Sequence, residues 1–83
     1  MKVLYFAWIR ERVGQAEEDI DPPAAVRTVG DLVAWLKGRG EEFDYAFGNE
    51  TVVRAAIDRT HVKLDTPIEG AREIAFFPPM TGG

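Results

Sequence analysis

The 83-residue chain predicts a single α+β domain built as two layers, one sheet and one helical layer. Two observations carry that prediction. Short runs rich in β-branched and aromatic residues stand at both ends of the sequence, and between them lies one stretch with unmistakable helical spacing. The resulting order is strand, strand, helix, strand, strand, strand, and one helix can cover only one face of such a sheet. A chain this short buries roughly 60% of the surface its unfolded form exposes, enough for one modest core.

The first strand is predicted over Lys2 to Arg10, KVLYFAWIR, with no breaker inside it. Val3, Tyr5, Ala7 and Ile9 alternate onto one face and Leu4, Phe6 and Trp8 onto the other. Both faces are apolar, so the strand is either central or covered on each side. Gly14-Gln15 turns the chain, Ala16 to Ile20 returns as a more polar strand, and Pro22-Pro23 ends it. The main helix is predicted over Thr28 to Gly40. Thr28 and Asp31 have the spacing of a capping box, Val29, Leu32, Val33 and Leu36 form one apolar stripe, and Trp35 falls at its edge. Lys37 and Arg39 suit the negative end of the helix dipole, and Gly38 and Gly40 stop it.

EEFDYAF, residues 41–47, spaces Phe43, Ala46 and Phe47 as in one short helical turn, and Gly48-Asn49 breaks it. Thr51 to Ile57 alternates as a strand, with Val53, Ala55 and Ile57 together. Asp58-Arg59 turns, and His61 to Leu64 returns with Val62 and Leu64 inward. Glu73 to Phe77 is the last strand, ended by Pro78-Pro79, neither of which can donate a ladder hydrogen bond. This order is compatible with a ubiquitin-like β-grasp, a mixed sheet of about four to five strands with one main helix on one face, although periodicity supplies the order and not the pairing. The domain is expected to span 1–78, followed by a flexible Gly-Gly tail over 79–83.

Composition removes most chemistries. The chain has no cysteine, no serine and one histidine, His61. Disulfides, thiolate metal sites, serine and cysteine nucleophiles and histidine-cluster zinc sites are therefore unavailable, and no metal site is expected. The net charge is −4 with scattered lysines and arginines, which argues against nucleic acid. The longest apolar run, Val3 to Ile9, is far short of a membrane span, and no signal-peptide pattern follows Lys2, so the default location is the cytoplasm. The acidic runs 17–21 and 41–44 read as solvated loops or as a face for a basic partner.

The ending FFPPMTGG is then the feature that asks for a role. Pro78-Pro79 stiffens the exit from the sheet. From Pro79 to Gly83 the extended reach is about 15–18 Å at roughly 3.3–3.6 Å per residue. Gly82 and Gly83 lack Cβ atoms and can thread a narrow channel, delivering a terminal carboxylate into another protein's site. Phe77 falls on the face opposite Ile74 and Phe76. With Leu4, Phe6, Trp8 and His61 on the matching side, it outlines an aromatic patch at the base of the tail, a docking surface.

KVLYFAWIRERVG near the start, AAIDRTHVKLDTPIEGAREIAFFPPMTGG at the end and the capped helix between them resemble the molybdopterin synthase small-subunit family, ubiquitin-like sulfur carriers. The resemblance spans nearly the whole chain, fits loosely only over Gly40 to Glu50, and is most specific at AFFPPMTGG. Met80 stands where valine is common in the family. What the resemblance implies is as follows. The Gly83 carboxylate is adenylated by a separate ATP-dependent enzyme and becomes a thiocarboxylate with sulfur from a sulfur-delivering enzyme. The tail, with Thr81 and Gly82 threading, then donates that sulfur to cyclic pyranopterin monophosphate in the large subunit's site. The partner interface is Phe6, Trp8, His61, Phe77, Pro78, Pro79 and Met80. No cofactor is bound permanently, the sulfur rides covalently on Gly83, catalytic side chains belong to the large subunit, and two small and two large subunits assemble. Three alternatives stay open: a carrier for thiazole or transfer-RNA thiolation, a ubiquitin-like modifier joined through Gly83 to lysines, and an interaction module with an inert tail.

Overall fold

The computed structural model describes residues 1–48 and 52–79. Among them the order is β1 (Lys2–Tyr5), α1 (Ala7–Val13), β2 (Glu17–Asp19), α2 (Val29–Lys37), α3 (Glu41–Phe47), β3 (Arg54–Ile57), β4 (Thr60–Val62) and β5 (Glu73–Phe77). The strands form one mixed sheet in the order β2-β1-β5-β3-β4. β1 and β5 run parallel at its centre, Val3 opposite Ile74 and Tyr5 opposite Phe76. The outer pairs β1–β2, β3–β5 and β3–β4 are antiparallel.

The opening run is corrected most. It is a strand only to Tyr5. Phe6 stays extended, Ala7 adopts a left-handed φ of 53°, and the chain then coils as α1. Tyr5, Ile9 and Val13 are all buried. Their spacing of four satisfies both a strand's period of two and a helix's i, i+4 neighbours, so alternation alone could not separate the two. Gly14, at φ 90°, closes the helix by donating its N–H to the Arg10 carbonyl at 2.9 Å, a conformation glycine adopts without Cβ strain.

α2 forms as its sequence dictates. The Asp31 N–H donates to Thr28 Oγ1 at 3.1 Å, and the Thr28 N–H donates back to Asp31 Oδ2 at 3.2 Å. The Arg27 N–H donates to the same carboxylate oxygen at 3.1 Å. These bonds, Arg27's first, hold the Asp31 carboxyl below its usual range. Val29, Leu32, Val33 and Leu36 are buried, and Trp35 packs half-exposed against the core, as its place off the stripe implies. The supposed single turn after Gly40 is a full helix, α3, which buries Phe43, Ala46 and Phe47 and places Glu41, Glu42 and Asp44 at the favourable end of its dipole. Among the described residues the helical layer thus holds three helices, with α2 the longest.

The core lies between this layer and the inner sheet face. The Phe47 ring meets Phe76 edge-on at 5.1 Å, and Tyr5 meets Phe43 and Phe47 at 6.4 and 6.3 Å. At the edge of the core, Glu18 is not a solvated loop residue. Its Oε2 accepts the buried Tyr5 hydroxyl at 2.8 Å and the Gln15 amide at 3.1 Å, and its Oε1 pairs with Arg39 at 2.9 Å. Burial first, and the bond to Glu18 second, push the Tyr5 phenol well above its usual range.

Candidate functional site

The outer face of the sheet is organised along the strands. At one end it is charged: Lys2 Nζ pairs with Glu17 Oε2 at 3.0 Å, and Asp19 and Glu73 lie in register beside Lys2. Its hydrogen bond to Glu17 raises the Lys2 pKa. One pleat on, Leu4, Ala75, Ala56 and His61 stand in a row across β1, β5, β3 and β4. Ala56 is only 7% exposed yet lies outside the core cluster, because it sits mid-face between Ala75 and His61. The next pleat carries Phe77 opposite Arg54, and Phe77 leads into Pro78 and Pro79. The face therefore grades from charged to apolar and aromatic toward the point where the tail leaves.

Phe6 joins that aromatic end. Its N–H donates to the Phe76 carbonyl at 3.0 Å, so it continues the parallel ladder past β1 and alternates outward with Leu4. It is 46% exposed, one of two exposed large apolar side chains among the described residues. The His61 ring lies 5.0 Å from that of Phe77, tilted at 45°, and His61 is exposed. Phe6, Phe77, His61, Pro78 and Pro79 are thus brought to the tail-exit side, as the alternation implies.

Trp8 is not among them. It lies on α1, half-buried against the core cluster, with the Arg12 guanidinium 4.5 Å from its ring centroid. Its assignment to the open sheet face rested on a strand through Arg10, and that strand ends at Tyr5. Met80, Thr81, Gly82 and Gly83 lie outside the described residues. Arg54 beside Phe77 and the exposed Tyr45 on α3 went unnoticed in the sequence. An arginine at a strand start and a tyrosine in a presumed turn carry no signal of their own.

Among the described residues the candidate positions form a surface. A groove of about 620 Å³ lies among the loops around Thr28 and Pro67, lined by Ala24, Val26 and Ile68, and none of the candidate residues borders it. Among the described residues no cluster of histidine and carboxylate groups could hold a metal ion, and no helix is long and apolar enough to cross a membrane.

Central parallel strands, antiparallel flanks and a helical layer on one face make this a ubiquitin-like β-grasp protein, with an apolar surface at the end of its last strand. Solved structures share the architecture. SAMP1 from Haloferax volcanii aligns with a TM-score of 0.75 at 25% identity, covering 100% of this chain and 98% of that one. A protein described as subunit 1 of a molybdopterin converting factor from Pyrococcus furiosus aligns with a TM-score of 0.74 at 30% identity, covering 95% of each chain. The chain belongs to the ThiS family, which matches residues 3–83. It is similar to the molybdopterin synthase sulfur carrier subunit of Escherichia coli, at 35% identity over 100% of this chain and 99% of the relative. The protein of the same name from Haemophilus influenzae is 34% identical over the same shares.

Proposed function

We propose that this chain is the sulfur carrier subunit of molybdopterin synthase. The observation that carries the reading is the match to carriers of that name along essentially their whole length, with the family match running through Gly83. The composition agrees with it: a chain without cysteine has no side-chain thiol to carry sulfur, and a thiocarboxylate places the sulfur on the backbone instead.

The chemistry is then as follows. The Gly83 carboxylate attacks the α-phosphate of ATP on an activating enzyme, pyrophosphate leaves, and the acyl-adenylate forms. Sulfide-level sulfur from a sulfur-delivering enzyme attacks the acyl carbon and AMP leaves, giving the thiocarboxylate. Phe6, Phe77, Pro78 and Pro79 seat the carrier on the large subunit with His61 at the rim, and Met80, Thr81 and Gly82 lead the terminus into its active site. There the thiocarboxylate sulfur attacks cyclic pyranopterin monophosphate, and water cleaves the resulting thioester, leaving the sulfur on the product and returning Gly83 as a carboxylate. A dithiolene takes two sulfurs, hence two loaded carriers per product; a tetramer of two small and two large subunits, working in the cytoplasm, is the assembly that family membership implies. The surface around Phe6, His61 and Phe77 supports the docking step, because a partly exposed aromatic cluster beside Pro78 and Pro79 is what a partner can recognise before the terminus is guided in.

Intact-mass measurement after incubation with the activating enzyme, ATP and a sulfur source tests the reading. It should show exchange of one oxygen for sulfur at Gly83. An unmodified terminus, under conditions that load a control carrier, would overturn it. Higher-mass adducts through lysines of other proteins would favour a modifier instead.

A further inference from the structure

We propose that the Trp8–Arg12–Tyr45 stack is a guanidinium clamp for a carboxylate side chain of the large subunit, extending the docking surface from the tail exit onto the helical layer. The inference rests on the docking reading above.

Among the described residues, Arg12 and Arg39 each hold the guanidinium over two aromatic rings. The Arg39 guanidinium carbon lies 5.3 Å from the Trp35 centroid and 4.8 Å from that of Phe43, and its Nη1 pairs with Glu18 at 2.9 Å. Arg12 repeats the construction. Its guanidinium carbon lies 4.5 Å from the Trp8 centroid and 4.2 Å from that of Tyr45. Trp8 and Arg12 are one helical turn apart on α1, and Tyr45 reaches across from α3. Stacking occupies the faces of a planar guanidinium and leaves its in-plane N–H fork for a carboxylate. Glu18 fills that place at Arg39, whereas among the described residues no hydrogen bond or ion pair engages Arg12. Glu11 and Asp44 are neighbours in sequence of Arg12 and Tyr45, and neither pairs with it.

The stack is also where a partner would meet it. Tyr45 is 63% exposed and Phe6 46%, the two exposed large apolar side chains described. Phe6 immediately precedes α1. Six residues at about 1.5 Å each put Arg12 roughly 9 Å along that helix, inside the roughly 800 Å² that one partner contributes to a standard interface. Tyrosine, tryptophan and arginine are the side chains most enriched among those that dominate binding energy. The rest of the exposed α3 surface is acidic (Glu41, Glu42 and Asp44), so a broadly acidic partner patch would be repelled, and a single carboxylate is the occupant that fits.

Affinity for the purified large subunit, measured by calorimetry, tests the clamp. Arg12→Ala and Arg12→Gln should each stay folded, with thermal midpoints lowered by a few degrees as the two ring contacts are lost, and should weaken binding about tenfold, and Arg12→Lys should not restore it, because an ammonium lacks the fork. Carbodiimide treatment of the Arg12→Lys complex should join position 12 to an Asp or Glu of the large subunit, located by peptide mass spectrometry. Wild-type affinity of Arg12→Ala, or no cross-link at position 12, overturns the clamp. If Phe77→Glu abolishes binding in the same assay, the docking reading stands without it. If Arg12→Ala weakens binding and Phe77→Glu does not, the clamp survives and the tail-exit docking fails.

Discussion

Phe76 and Phe77 are adjacent and chemically identical, yet the sheet sends them to opposite fates. Phe76 is fully buried against Phe47, while Phe77 lies half-exposed beside His61 and Arg54. The same division runs through the neighbouring strands, with Val3, Tyr5 and Ile74 inward and Leu4 and Ala75 outward. The inner face is apolar because folding requires it. Folding places no such requirement on the outer face, whose charged end shows how an uncovered sheet surface is ordinarily finished. The outer face instead grades from charged at Lys2, Asp19 and Glu73, through Leu4, Ala75 and Ala56, to Phe77, with Arg54 beside it.

The contrast breaks most visibly in a pair of substitutions. Phe76→Ala should cost about 3–5 kcal/mol in denaturant unfolding, enough to threaten a domain of this size. Phe77→Glu should change stability by less than about 1 kcal/mol and instead weaken the large-subunit complex at least about tenfold. Equal losses of stability would show the outer face to be structural. Next in size is Glu18→Ala, expected to cost about 1–3 kcal/mol because the buried Tyr5 hydroxyl loses its acceptor. Adding Tyr5→Phe should recover part of that loss, since the orphaned donor is then gone.

The smallest effect concerns pH. The Asp31 carboxyl titrates below its ordinary 3.8, so its contribution is fully present above that value and is lost as pH falls through the lower, folded value. The stability difference between wild type and Asp31→Asn should therefore shrink on acidification below pH 3.8, followed by urea titrations across the range. A difference that stays constant would remove the charge of Asp31 from the account.

What could be read in advance follows from how local each signal is. α2 announces itself within 13 residues, Thr28 to Gly40, because capping box, stripe and stop are all neighbours in sequence. β5 is equally plain, bounded by Glu73 and by prolines. The break at Phe6-Ala7 was hidden because a left-handed alanine has no sequence mark, and because spacing by four serves strand and helix alike. That one error carried Trp8 onto the wrong surface and concealed the stack with Arg12 and Tyr45, which depends on α1 and α3 lying side by side. The roles of Glu18 and Arg54 depend on strand pairing, which no local pattern encodes.

The parallel pairing of β1 with β5 has a consequence for synthesis. Residues 2–5 are made first, but their central partner, residues 73–77, comes some seventy residues later. Until β5 arrives, β1 and β3 each lack the neighbour that joins them into one sheet. Such long-range closure slows folding, because the loop must close before the contacts reward it. A nascent chain halted before Phe77 thus has no assembled outer face to show a partner. The last strand to be made is thus the one that joins the two halves of the sheet and leads into Pro78 and Pro79.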